Sequence, residues 1–199
     1  MYKVIKRLLD IIISLLILPI FCVSTVIIFF AIKIDDGGPI FYKSYRIGKN
    51  GKLFNMVKYR SMKINAPDIR TADGSTYNGE DDPRVTKVGK FLRETSIDEI
   101  PQILNVLVGD MSLIGPRPDP PDWIDRYPED VRVFLSVRPG ITGYSQAYFR
   151  NNADSELKMN NDVYYATHYS FILDAKIVFK TILTVLGHTG VYRESEGKR

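Results

Sequence analysis

The chain opens on an unbroken apolar stretch and then changes character. From Ile11 to Ile32 it carries no charge over 22 residues, a length that at about 1.5 Å per helical residue reaches across a bilayer core of roughly 30 Å. It is too long for the apolar region of a cleaved signal peptide. Pro19 lies in its middle, where it removes one backbone donor and sets its ring against the carbonyl of Leu15. A kink is expected there. Divided at Pro19, neither half is long enough to cross alone, so the stretch reads as one kinked span or as a helix that dips in and returns to the same face. On these residues alone the span is preferred, since spanning helices tolerate proline. Lys6 and Arg7 before the stretch and Lys33 after it suit a cytoplasmic position for both ends.

Beyond residue 36 the period shortens and then lengthens. Residues 39–48 and 53–60 are aromatic and β-branched, and Asn50-Gly51 between them favours a type I′ turn, which predicts a β-hairpin. Residues 63–83 are rich in Asp, Asn, Gly, Ser and Thr and predict a surface loop, a connector or a lid. Helical patterns follow at 85–93, 101–108, 122–127, 129–136 and 161–169, interrupted by Gly109, Gly115, Pro116 and the prolines from 118 to 121. Residues 170–186 carry apolar side chains around most of a helix, broken by Asp174, Lys176 and Lys180. Such a helix lies in the membrane plane, packs on the anchor or fills a core. These elements predict an α+β chain in three parts. Residues 1–35 form a membrane anchor, residues 36–192 a mainly helical domain with one small hairpin, and residues 193–199 a disordered polar tail.

Composition narrows the chemistry. At 199 residues and a formal charge of +4, the chain is one domain with an appendage. Its cations cluster around the apolar stretch, where Lys43, Arg46, Lys49 and Lys52 join those already named, a distribution suited to anionic headgroups. No helix-turn-helix, zinc-finger or aromatic RNA-binding pattern accompanies them, so nucleic acid is not an expected partner. The one cysteine, Cys22, is inside the apolar stretch, and His168 and His188 are the only histidines. That inventory offers no catalytic triad, zinc site or disulfide framework. Carboxylates, cations and a hard metal ion remain.

The candidate chemistry centres on Arg93-Glu-Thr-Ser-Ile-Asp-Glu-Ile-Pro-Gln102. Ser96 and Glu99 have the spacing of a capping box, but that register would put Pro101 at the fifth helical position, where its missing N–H breaks a backbone bond. With Asp98 as the cap, Pro101 falls in the first turn and is tolerated. Neighbouring helical side chains diverge by about 100°, so Asp98 and Glu99 would have different tasks, one attacking or binding metal while the other positions a reactant. The plain alternative is a capping aspartate beside a solvated glutamate. Arg93, Arg117, Arg138 and Arg150, several set beside Gly or Pro, tip the reading towards a phosphorylated substrate, because arginine forks match phosphate oxygens and a carboxylate with Mg²⁺ handles a diphosphate. Lys58, Arg60 and Arg84 are further candidates. Gln146 is placed to hydrogen-bond a base or sugar, and Tyr144 or Tyr148 to stack on a ring or fill the core.

These residues resemble the monotopic phosphoglycosyl transferases, the bacterial sugar transferase family. Matching stretches are Gly37-Gly-Pro-Ile-Phe-Tyr42, Arg46-Ile-Gly-Lys-Asn-Gly51, Lys58-Tyr-Arg-Ser-Met62, residues 82–93, the acidic pair, residues 105–118 and Arg138-Pro-Gly-Ile-Thr-Gly143, with Lys6-Arg-Leu-Leu-Asp10 and Leu173-Asp-Ala-Lys176 near the two ends. The resemblance implies an enzyme at the cytoplasmic face of the bacterial inner membrane. It would move a sugar-1-phosphate from a UDP-sugar to undecaprenyl phosphate with release of UMP. It implies that Asp98 attacks the β-phosphate to form a covalent phosphosugar, that Glu99 assists through Mg²⁺ or by positioning the acceptor, and that Arg93 stabilises phosphate charge. It further implies amphipathic helices on the membrane surface and a re-entrant helix broken at Pro19, reversing the preference for a straight span. The chain departs from the family pattern in having Leu18 before that proline, and Gln146-Ala-Tyr-Phe-Arg150 where Gln-Val-Asn-Gly-Arg is frequent. A membrane-tethered anion-binding adaptor and a membrane-bound nucleotide-sugar hydrolase are the competing readings. The sugar, the glycan pathway and the oligomeric state, homo-oligomers included, are left open.

Overall fold

The computed structural model describes residues 2–71, 74, 76–150 and 152–187. The tail expected at 193–199 and His188 lie outside the described residues. The apolar stretch is one helix, α1 (Tyr2–Asp35), which continues through Pro19. It is the one described helix long and apolar enough to cross a membrane. Its middle is exposed apolar surface, with Leu15, Leu16, Ile20, Val23, Val26 and Ile27 all uncovered.

Both ends of α1 hold the same body. Near the N-terminus, Arg7 donates to the carbonyls of Val106 (2.6 Å) and Leu107 (3.0 Å), capping the last turn of α3 (Gln102–Val108) with a cation. Asp10, buried, accepts from Ser112 Oγ (2.8 Å) and the Leu113 amide (3.0 Å). Towards the C-terminus, Ser24 and Thr25 hydrogen-bond the Tyr59 hydroxyl at 3.0 and 2.7 Å, while Ile28 and Ile32 pack with Tyr59 and Leu92. Asp35 then accepts from the Val88 amide (3.0 Å) at the first turn of α2 (Lys87–Glu94).

The hairpin forms as the alternation predicts, with β1 (Phe41–Ile47) antiparallel to β2 (Leu53–Tyr59) in the register Tyr42↔Lys58, Ser44↔Met56, Arg46↔Phe54. Its connection is longer than two residues and contains a 3₁₀ turn, Lys49–Gly51, closed by the Gly48 amide on the Lys52 carbonyl. Asn50 and Gly51 nevertheless adopt the positive φ that the type I′ reading required (57° and 77°).

Elsewhere tertiary packing reshapes the predicted elements. Residues 129–136 form a 3₁₀ helix, and the 122–127 segment contracts to a 3₁₀ turn at Pro121–Trp123. The helix expected from 161 starts earlier, as α5 (Ser155–His168), because Asp154 caps it through the Leu157 amide. The last helix, α6 (Phe171–Leu186), turns Asp174 and Ile177 inward and leaves Phe171, Ile172, Phe179, Ile182 and Leu186 exposed. Asp174 fastens three elements, accepting from Lys6 (2.8 Å), Tyr165 (2.8 Å) and Tyr2.

Two short strands absent from the sequence reading complete the body. β3 (Ser112–Ile114) pairs in parallel with β4 (Gly140–Thr142). The glycines of the two proline-flanked motifs exist for this crossing: a Cβ on Gly115 would sit 2.3 Å from the Arg138 carbonyl oxygen, and one on Gly143 would sit 2.0 Å from that of Gly115. Those motifs are therefore sheet contacts as well as arginine-bearing turns. A short helix, α4 (Tyr144–Tyr148), follows directly.

Candidate active site

α2 ends at Thr95, and Ser96 reverses the chain in the left-handed region (φ 57°). A 3₁₀ turn over Ile97–Glu99 follows, then Pro101 at the N-cap position of α3, one residue earlier than the first turn expected for it. Asp98 is thus inside a separate turn and does not cap α3, and Ser96 makes no side-chain capping bond. Pro101 is tolerated at the helix start, as its chemistry demands. What the turn achieves is separation of the two carboxylates.

Glu99 is engaged. Its Oε1 accepts from Lys58 Nζ on β2 (2.8 Å) and from Arg117 Nη2 after β3 (3.0 Å). Burial alone would raise its pKa, but the charges of Arg117 and Lys58, with their hydrogen bonds, hold it well below the usual carboxylate range. Asp98 is different. It is 8% exposed, and among the described residues no hydrogen bond or ion pair reaches its carboxylate. Burial pushes its pKa up to about 6; Lys58 opposes that shift and the Glu99 charge adds to it. At neutral pH Asp98 is mostly ionised and uncommitted, beside two cations that share the single negative charge of Glu99.

The structure gathers part of the predicted set around this pair. Lys58 and Arg117 touch Glu99 directly. Arg93, from the last turn of α2, donates to Ser61 Oγ (3.0 Å) and Asn78 Oδ1 (3.3 Å), and its charge acts on Asp98. Arg150 donates to Ser96 Oγ (3.0 Å) and feels the charges of both Glu99 and Asp98. It too has positive φ, 51°, so two non-glycine residues in this costly conformation meet at the acidic turn. Gln146, on α4, has both amide atoms buried without a protein partner. Arg138 is not gathered with them: it donates Nε to the Gly109 carbonyl (2.8 Å), at the end of α3 opposite the acidic turn.

Two predicted residues are committed elsewhere. Arg60 binds Asp36 and the carbonyls of Pro39 and Met62, tying the end of β2 to the exit of α1. Arg84 holds Asp82 in a fully buried pair (2.7 Å) and donates to the carbonyls of Pro67 and Tyr77, so it staples the 63–83 loop to itself. Ser96 is a residue the sequence reading passed over except as a capping candidate. Its left-handed backbone had no signal, because glycine or asparagine normally marks that position.

Of the two expected magnesium ligands, Asp98 has no hydrogen bond or ion pair on its oxygens among the described residues, while Glu99 Oε1 is already bound by Lys58 and Arg117. Mg²⁺ binds through one or two carboxylates and completes its shell with water and substrate phosphate. Among the described residues no third His, Cys, Asp or Glu converges with them.

Comparison with known proteins identifies the family. Residues 1–188 match the profile of the bacterial sugar transferase family. The undecaprenyl-phosphate galactose phosphotransferase of Salmonella typhimurium is 39% identical over 202 residues, covering 96% of this chain and 42% of that protein. The uncharacterized sugar transferase EpsL of Bacillus subtilis is 40% identical over 191 residues, covering 94% of this chain and 90% of that protein. The exopolysaccharide production protein ExoY of Rhizobium meliloti is 37% identical, with 94% and 88% covered. The chain thus spans about two-fifths of some relatives, among them the Salmonella protein, and nearly the full length of others. The chain belongs to the bacterial sugar transferase family.

Proposed function

We propose that this chain is a phosphoglycosyl transferase that moves a sugar-1-phosphate from a UDP-sugar onto undecaprenyl phosphate at a membrane surface. The observation that carries the reading is the asymmetry of the acidic pair: Glu99 is held by Lys58 and Arg117, and among the described residues no hydrogen bond or ion pair reaches the Asp98 oxygens. A carboxylate locked in an ion pair is a poor nucleophile, whereas a buried, unpaired one beside cations is activated and can approach an anionic phosphate.

In the first step an Asp98 oxygen attacks the phosphorus that bears the sugar, forming an acyl phosphate while the bond to the bridging oxygen breaks and UMP departs. In the second an oxygen of undecaprenyl phosphate attacks the same phosphorus, and the Asp98 carboxylate leaves with its electron pair. The product is a lipid diphosphate sugar. Arg117 and Arg93 stabilise the equatorial oxygens as charge develops, and Lys58 holds Glu99 beside the reacting carboxylate. Asp98 and Glu99 would hold Mg²⁺, which neutralises diphosphate charge when bound.

The two-ended grip on α1 supports a re-entrant anchor. Asp10 and Asp35, towards the two ends of α1, both bind the one folded body, which favours both ends of the helix on one side of the bilayer. The exposed apolar face of α6 fits the same surface. The basic residues flanking α1 at both ends support a cytoplasmic position for the catalytic body at the inner membrane.

The test is UMP release from a panel of UDP-sugars in full-length protein, with and without undecaprenyl phosphate and Mg²⁺. Turnover that needs the lipid, with a stoichiometric sugar-phosphate adduct absent in Asp98→Asn, is expected. Equal turnover without lipid would make the chain a hydrolase, and no turnover with any nucleotide sugar would leave an anion-binding adaptor.

A further inference from the structure

We propose that Arg46, assisted by Ser44, forms with Arg117 a second anion position beside the acidic pair, built for a phosphate group of the substrate. Arg46 is set by strand geometry. Side chains alternate along β1, so Tyr42, Ser44 and Arg46 share a face, and their partners across the hairpin are Lys58, Met56 and Phe54. That is the face on which Lys58 reaches Glu99 and on which Phe54 and Met56 pack against Val106 of α3. The Ile47 amide donates to the Asp119 carbonyl (2.9 Å), fixing the end of β1 against the turn that carries Arg117.

What singles Arg46 out is its lack of partners. Its Nε and the Ser44 hydroxyl are both buried without a hydrogen bond, and among the described residues no hydrogen bond or ion pair reaches its guanidinium. The carboxylate nearest in electrostatic effect, Asp119, accepts instead from Tyr127 and Lys158, at 2.7 Å each. Burial lowers the pKa of Arg46, and the adjacent Arg117 charge lowers it further. The same chain shows what a structural arginine looks like: Arg60 and Arg84 each bind a carboxylate and two carbonyls. A half-buried guanidinium whose Nε is buried without a carbonyl or carboxylate, in the field of a second guanidinium, is stabilised when an anion joins them. Arg117 gives one nitrogen to Glu99 and has further donors to share. A tetrahedral phosphate oxygen between two planar forks, with a serine hydroxyl as a third donor, satisfies all of them.

The ligand's identity as substrate rests on the proposed transferase reading; the anion site itself does not. Either the diphosphate of the donor or the phosphate of the lipid acceptor supplies this chemistry. The full chain in lipid nanodiscs is titrated calorimetrically with inorganic pyrophosphate and with UDP, as wild type, Arg46→Gln, Arg46→Lys and Ser44→Ala. Loss of a charge-assisted fork should weaken pyrophosphate binding roughly tenfold or more in Arg46→Gln, with an unchanged thermal midpoint, since no protein partner is lost. Arg46→Lys should recover only part, because an ammonium has no fork. A parallel loss of UDP affinity and a raised KM for the UDP-sugar assign the site to the donor. A raised KM for undecaprenyl phosphate at unchanged UDP affinity assigns it to the acceptor. Equal pyrophosphate affinity in wild type and Arg46→Gln, no pyrophosphate binding by wild type, or a loss matched by a fallen thermal midpoint overturns the proposal. Pyrophosphate binding that depends on Arg46 in a protein that turns over no nucleotide sugar would sink the transferase reading and leave the anion site standing.

Discussion

Replacing Glu99 by glutamine tests how the acidic pair divides its work. The substitution keeps the shape and removes one charge. In the wild type Oε1 accepts from Lys58 at 2.8 Å and Arg117 at 3.0 Å, with side-chain exposures of 14% for Lys58, 19% for Glu99 and 39% for Arg117. Breaking a fully buried pair by removing one partner costs about 3–5 kcal/mol. Solvent at Arg117 screens part of this, so the expected loss is about 2 kcal/mol. In a double-mutant cycle with Lys58→Met the combined loss should fall short of the sum of the singles, because the second change removes the cation that the first leaves uncompensated.

A second effect follows at Asp98. The Glu99 charge raises its pKa and the Lys58 and Arg117 charges lower it, so Glu99→Gln removes the repulsion and hands both cations to Asp98. Its pKa must fall below about 6, and the carboxylate becomes an ion-paired, weaker nucleophile. Single-turnover UMP release followed against pH should show the acid limb displaced to lower pH and a plateau reduced roughly tenfold or more. An acid limb displaced upward, or additive stability losses in the cycle, would refute the division of roles.

Arg84→Gln should strip the buried Asp82 of its counter-ion and lower stability by about 3–5 kcal/mol, read as a fallen thermal midpoint and faster proteolysis within 63–83, with the KM for donor in the remaining folded protein unchanged. Asp10→Ala leaves the Ser112 hydroxyl and Leu113 amide unsatisfied where α1 meets β3, so a loss of about 2–4 kcal/mol is expected in nanodisc unfolding, with Asp10→Asn losing less. Burial raises the pKa of Asp162 to about 6, above the 3.8 of an unperturbed aspartate, with Lys158 opposing. The fold therefore binds the proton more tightly than the unfolded chain does, and this contribution is full below about 4 and lost as pH rises through about 6. Asp162→Asn should flatten the stability–pH curve within that window, as measured by denaturant unfolding from pH 4 to pH 7.

Much of this protein was legible in its order of residues because the relevant physics is local. A charge-free run of 22 residues specifies an apolar helix wherever it ends; alternation and Asn50-Gly51 specify a hairpin and even its positive φ values; Pro101 specifies a helix start. The acidic pair and its attendant arginines were visible for the same reason, as adjacent residue types whose charges demand a polar ligand. Partnership was not visible, because it depends on which distant atoms fill each hydrogen-bonding capacity. Sequence proposed Lys58, Arg60, Arg84 and Arg117 as similar cations, and only the tertiary structure put Lys58 and Arg117 on Glu99, fastened Arg60 to the exit of α1 and Arg84 within its own loop, and left Asp98 without an ion pair among the described residues. It alone brought Gly115 within contact of Gly143, turning two proline-rich motifs into a parallel strand pair. It also set Arg46, read from sequence as one more basic flank, on the face of the hairpin that carries Lys58. Chemistry type is a property of side chains, whereas commitment of a charge is a property of its surroundings, and those assemble only when residues far apart in the chain are packed together.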